Sequence, residues 1–209
     1  MHESRERIVE LLRLQGSHTV ESLCAALGLS RTAVKSHLTG LRAEGLVRRG
    51  GLQPGTRRPS NVYELTPEAD RLFPKMYDDF AGALLGEIRR QRPHELQGYL
   101  DRIADRWIAR DLSRVNGLHG LERFERAKET IADRGFMPTL ERTPDGYELH
   151  EHNCPLMRLA VDHLEVCNMV HRWLEALFGT RLNRARCLRQ GEPFSAYRIS
   201  ADSPMVREG

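Results

Sequence analysis

The chain has 209 residues, 40% of them hydrophobic and 29% charged, with a formal net charge of +3. That composition excludes global disorder and suits a chain that buries a core, while the length fits one large domain or two small ones. No apolar run reaches the roughly 18–20 residues that a membrane-spanning helix needs.

The opening segment, MHESRERIVELL, is charged from its third residue and lacks the apolar stretch of a signal peptide, so a cytoplasmic location without membrane association is expected. In that reducing setting Cys24, Cys154, Cys167 and Cys187 read as buried thiols or metal ligands rather than disulfides. Charge is uneven along the chain. Residues 1–66 hold ten Lys/Arg against six Asp/Glu, a net of +4, and the remainder nets −1. A basic N-terminal module on a near-neutral body is the pattern of a nucleic-acid reader carrying a sensing domain.

In SRERIVELLRLQ, residues 4–15, Ile8, Leu11, Leu12 and Leu14 recur at near-helical spacing before Gly16. Thr19 is placed to cap a second helix that Gly28 breaks, and Ser30 caps a third, RTAVKSHLTGLRAEG, ending at Gly45. Two helices joined by a tight glycine turn read as a helix-turn-helix, with Leu23, Leu27, Leu29, Val34, Leu38 and Leu41 as its small core. Its outer side carries Arg31, Thr32, Lys35 and Ser36, which are expected to reach base edges or phosphates. LVRRG and VYELT then read as strands about a basic loop, a wing whose Arg57 and Arg58 would contact the DNA backbone and whose base is flanked by Arg48 and Arg49. Cys24, in the helix before the turn, reads as packing.

Thr66-Pro67-Glu68 opens a helix that Pro74 interrupts and that resumes through MYDDFAGALLGEIRRQ. Further helices are expected over about 94–115 and 118–134. The apolar faces of the first two are broad enough for both an internal core and a partner, so a homodimer on a two-fold operator is expected, with the face undetermined. FMPTLERTPDGYELHEHN reads as a hairpin about Pro-Asp-Gly, and Cys154-Pro155 as the start of a helix running to Phe178. RLNRARCLRQGEPFSAYRIS reads as a second hairpin turning near Gly191. The expected fold is α+β. It comprises a winged helix-turn-helix over 1–66, a helical linker and dimerisation region over 67–134, and a small hairpin–helix–hairpin sensor domain over 135–209.

Potential ligands gather in that last region. His150, His152 and Cys154 share a face if their segment is extended throughout. His163, Cys167 and His171 share a face if the helix is continuous. A hydrolase built on His150, His152 and Glu151 or Glu165 is a reading from another class. No nucleophile motif, phosphate loop or paired-carboxylate arrangement accompanies those residues, and no enzymatic activity is expected.

SRTAVKSHLTGLRAEGLV, RRPSNVYELTPEADRLFPKMY, NCP with the twelve residues separating Cys154 from Cys167, and the closing GEPFSAYRI together carry a resemblance. Over nearly its whole length the chain resembles the SufR regulators of iron–sulfur cluster assembly, which join a DeoR/ArsR-like winged helix-turn-helix to a cysteine-bearing C-terminal domain. The resemblance implies a repressor that binds operator DNA and holds a [4Fe–4S] or [2Fe–2S] cluster through cysteines. Only Cys154 and Cys167 match the family's cysteines residue by residue. The family's cysteine four residues before Cys154 falls on His150, and its last falls on Ser195. Imidazole replaces thiolate in some clusters, which makes His150 a candidate ligand. Serine is a poor substitute, but Cys187, eight residues earlier on the partner strand, comes close to it across the ladder. The expected ligands are therefore Cys154, Cys167 and either Cys187 or His150, with His152 as a bystander. Zinc on the same residues, or a small apolar effector with no metal, are the alternatives, although the short Cys-x2-Cys of structural zinc sites is absent.

Overall fold

The computed structural model describes residues 3–54 and 59–203. The chain divides between Lys75 and Met76 into two compact units.

In the first unit, α1 (Glu3–Gln15), α2 (Val20–Leu27) and α3 (Arg31–Ala43) pack over a small sheet. The caps form where the sequence places them. The Thr19 side chain accepts the Ser22 amide, and that of Ser30 accepts the Ala33 amide. Gly28 closes α2 at φ 67°, a left-handed conformation that glycine adopts without steric cost. Ile8, Val9, Leu12, Leu23, Val34, Leu38 and Leu41 are buried together, with Leu27, Leu29 and Cys24 packed against them. Leu14 departs from the expected pattern: it is 82% exposed, and Val9 takes its place in the core. Strands β2 (Val47–Gln53) and β3 (Ser60–Leu65) form the wing hairpin. A two-residue strand, β1 (His18–Thr19), pairs with β3 to give the order β1-β3-β2. It is too short to show periodicity in the sequence. The wing bulges between Arg49 and Gly51, where a Cβ on Gly50 would lie 2.6 Å from a Glu64 carboxylate oxygen.

The second unit joins the expected linker helices and the C-terminal hairpins around one core. Helices α4 (Tyr77–Gln91), α5 (Leu96–Asp111) and α6 (Gly120–Ala132) precede β4 (Pro138–Thr143) and β5 (Gly146–Glu151). Helices α7 (Met157–Asp162) and α8 (Leu164–Phe178) lead to β6 (Asn183–Arg186) and β7 (Ser195–Ser200), and the antiparallel sheet runs β4-β5-β7-β6. Leu149, Tyr197 and Ile199 of the sheet meet Trp173, Leu174 and Phe178 of α8, with Leu100 of α5 and Phe124 of α6 in the same cluster. The buried Arg123 fastens α6 beneath the end of α8, donating to the carbonyls of Ala176, Leu177 and Val115 at 3.0, 2.9 and 3.2 Å. Asp111, also buried, accepts from the Trp173 indole at 2.9 Å and pairs with Arg134.

One helix differs from expectation. The segment from Cys154 to Phe178 is broken at His163, whose φ of −129° and ψ of 89° are not helical. Helix formers run through the break, so local propensity does not mark it. Tertiary contacts do: Arg89 of α4 donates to the Asp162 carbonyl at 2.9 Å and meets His163 Nδ1 at 2.8 Å, while His163 Nε2 lies 3.3 Å from the Gly82 carbonyl. His163 therefore does not continue the stripe of Cys167 and His171.

Candidate functional site

Among the described residues, two surfaces carry chemistry, one in each unit. In the first, the exposed side of α3 presents Arg31, Thr32, Lys35 and Ser36, while Val34 and Leu38 are buried behind them. The helical period separates the two sets, because residues three and four apart share a face. A groove of about 230 Å3 runs beside this face, lined by Arg31, Lys35, Ser60, Asn61, Tyr63 and Glu21 among others, so the start of α3 and the third strand border one concave surface. Arg48 at the wing base is engaged by Glu64 at 2.8 Å, whereas Arg49 is exposed. Arg57 and Arg58, at the expected wing tip, lie outside the described residues.

In the second unit, a cavity of about 20 Å3 lies between β5, β7 and the helices, and Cys154, Cys167, Cys187, Glu151, Ser195 and Tyr197 line it with Arg184 and Arg189. Three elements deliver the three thiols. Cys154 sits in the turn after β5, Cys167 in the first turn of α8, and Cys187 just past β6. The expected closeness of Cys187 and Ser195 is present: Arg186 pairs with Ala196, and the amide of Leu188 donates to Ser195 Oγ at 3.1 Å. Ser195 is thus already committed to holding the turn that follows Cys187.

His150 goes elsewhere, which corrects its expected place among the ligands. Strand side chains alternate, and Leu149 is fully buried in the core while Glu151 is 2% exposed and lines the cavity. His150 consequently faces the opposite side of the sheet. There it stacks on Phe194 at 4.5 Å and pairs with Glu148 at 2.8 Å and Glu141 at 3.7 Å. His152 lies on the same side, 6.3 Å from the His150 ring. The strand ends at Glu151, so period two does not extend to Cys154, and the three residues do not share a face. His171 stacks on Tyr197 at 5.7 Å and approaches Glu175 at 3.5 Å.

Glu151, named from the sequence only in the hydrolase reading, is the cavity residue absent from the expected ligands. Leu149 supplies the signal that finds it, since a core leucine two residues earlier fixes which side of β5 faces inward. Burial pushes the Glu151 carboxyl up to about 8, against a weaker opposing hydrogen bond from Tyr197, and its Oε1 has no partner. Burial also pushes the Cys154 thiol up to about 11, with Glu151, Cys167 and Cys187 adding repulsion, and raises Cys167. The apolar surroundings favour the neutral forms of all three groups. Cationic Arg184 and Arg189 are at hand to offset thiolate charge.

These residues suit a metal centre by donor type, with three sulfurs and a carboxylate lining one cavity. Yet among the described residues no three His, Cys, Asp or Glu side chains are grouped to hold a metal ion. They share a cavity rather than one ion's coordination sphere. The cavity itself is about the size of a single water.

The Glu151 shift has a direct consequence for stability. A carboxyl with a raised folded-state value binds more protons folded than unfolded, so its contribution is complete below the ordinary value of 4.5 and is lost as pH rises toward about 8. Glu151→Gln removes that dependence. Urea unfolding of metal-free protein should show wild type and variant alike near pH 4.5, with wild type falling progressively behind as pH approaches about 8. A difference independent of pH over that window would contradict the buried, neutral carboxyl.

Residues 2–49 match the profile of a protein family described as bacterial regulatory protein, arsR family. No match was found among curated proteins or among solved structures. No helix among the described residues is long and apolar enough to cross a membrane. With an arsR-type helix-turn-helix, a wing and an exposed basic face on α3, the chain is a DNA-binding transcriptional regulator.

Proposed function

We propose that this regulator is a cytoplasmic, homodimeric repressor of the SufR kind, whose second unit reports iron–sulfur status through the cavity of Cys154, Cys167 and Cys187. The observation that carries this reading is the convergence of three half-buried cysteines, distant in sequence, around one small cavity. The thiolates of a cluster are spread over two irons in a [2Fe–2S] unit and over four in a [4Fe–4S] unit, so they need not surround one point. That makes a cluster a better match than zinc for three sulfurs that share a cavity without enclosing a single ion. An organic effector is a poorer match because it leaves the convergence of three thiols without a use, while about 20 Å3 admits neither it nor a cluster until the walls move. When bound, the cluster supplies a redox- and iron-sensitive group.

Holding a cluster requires the cavity to open, and the segment after Cys187 is lightly anchored. Leu188–Gln190 forms a single 3-10 turn with no buried residue, tied back by the Leu188 amide to Ser195. Ligand binding that favours one arrangement of this wall over another is what an allosteric input requires, because only a difference in affinity between two conformations shifts them. On DNA, Arg31, Thr32, Lys35 and Ser36 read base edges and phosphates, Arg57 and Arg58 follow the backbone, and two copies address an inverted repeat.

The second copy is assigned to α4. That helix contributes no fully buried residue; Leu85 and Ile88 rest on the core of the unit, while Met76, Tyr77, Phe80 and Leu84 are 75, 73, 71 and 50% exposed. Tyr77, Phe80 and Leu84 follow helical spacing along one stripe, the form a self-complementary helix pair takes across a two-fold axis.

Anaerobic purification followed by iron, sulfide and zinc assays and a visible spectrum tests the cluster. Wild type should be coloured and contain iron and sulfide, and Cys167→Ala should lose both. Protein that stays colourless and free of iron and sulfide after anaerobic reconstitution would contradict the reading, and zinc alone would point to a structural metal instead. For the dimer, Phe80→Asp is expected to convert a particle of two chains to one chain in light scattering at micromolar concentration. An unchanged mass would place the interface elsewhere.

A further inference from the structure

We infer that Glu151 is the fourth protein ligand of the cluster, supplying a carboxylate oxygen where the resembled family has a thiolate. The inference rests on the cluster reading of the same cavity and adds to it the identity of the non-cysteine donor. Glu151 is 2% exposed, lines the cavity with all three cysteines, and leaves Oε1 without a partner. Its other oxygen has only a long contact, 3.4 Å from the Tyr197 hydroxyl. A buried carboxyl satisfied on one side is costly, and a native fold that keeps one has a use for it. Packing alone would be served better by another leucine, since Leu149 two residues earlier on the same face is fully buried in the core.

The other candidates are accounted for. Ser195 Oγ is bound to the Leu188 amide, and His150 is stacked on Phe194 and within hydrogen-bond reach of Glu148 on the far side of the sheet. A carboxylate is also chemically apt. It is a hard oxygen donor that iron accepts, and it releases its proton on ligation as the thiols do. Iron held by oxygen in an otherwise thiolate set is the iron most readily exchanged. Glu151 therefore makes one corner of the cluster labile, the property a sensor of iron supply or oxidation needs. Arg184 and Arg189, lining the same cavity, offset the negative charge that three thiolates and a carboxylate bring.

The test uses the full chain, reconstituted anaerobically with ferrous iron and sulfide, in four forms: wild type, Glu151→Gln, Glu151→Cys and Ser195→Ala. Iron and sulfide per chain, the visible absorption and circular dichroism of the cluster, and the rate of iron loss to a ferrous chelator are measured for each. Far-ultraviolet circular dichroism reports folding, and Gln, matching the neutral carboxyl in shape, leaves the fold in place. Glu151→Gln is expected to lose iron about tenfold faster than wild type or more. Glu151→Cys should restore retention with an altered sulfur-to-iron spectrum, and Ser195→Ala should match wild type. Wild type that loads while Glu151→Gln equals it in iron content, spectrum and chelation rate would overturn the role of Glu151 and leave the cluster standing. Wild type that takes up no iron or sulfide would overturn both.

Discussion

Strand β5 can turn only alternate side chains toward α8, and the buried Leu149 fixes which ones they are. With Leu149 inward, Tyr147 and Glu151 face the helices, and Glu148 and His150 face away. Everything chemical in the second unit follows from that choice. Glu151 joins the cysteines, while His150 is left to a surface group with Phe194, His152 and the carboxylates of Glu141 and Glu148. A slip of one residue would exchange the two sets. The register is held on both sides, by β4 through Leu140 and by β7 through Tyr197, so the slip would also bury polar side chains in the core.

The cavity is the meeting point of pieces whose positions are set elsewhere. Cys167 rides on α8, which is fixed by Trp173 against Asp111 and by Arg123 beneath its last carbonyls. Cys154 follows β5 directly. Cys187 depends on a short turn held by Ser195, with few other ties. One thiol therefore stands on a well-packed helix and two in short connecting segments without a fully buried residue, an arrangement suited to walls that move when a ligand enters. The break at His163 shortens α8 and lets α7 pack against the core through Ala160, which also lines the cavity.

Much of this was legible in the sequence, for identifiable reasons. The helix-turn-helix was readable because caps, glycine stops and leucine spacing agree at each step, from Thr19 and Gly28 to Ser30 and Gly45. The two C-terminal hairpins were announced by their turns, and the closeness of Cys187 to Ser195 followed from the second. What the sequence concealed depends on tertiary contact. The His163 break is made by Arg89, seventy residues and more away, and β1 is two residues long. His150 is an alternative to Cys187 in the sequence because a histidine falls on a family cysteine position, whereas strand geometry turns its neighbour Glu151 toward the cavity. Glu151 carried no motif, and only the inward direction of Leu149 marks it.

In the proposed reading, the state of the cysteine cavity governs DNA occupancy. The most direct measurement takes the operator selected from genomic fragments and compares its affinity for the same protein, anaerobically reconstituted and after chelation, at one fixed salt concentration. Salt must be fixed because the basic face of α3 makes affinity depend on it. The account predicts that the reconstituted form binds at least about tenfold more tightly, equivalent to roughly 1.4 kcal/mol of coupling. Equal affinities for the two forms, with iron verified in one and absent from the other, would contradict it.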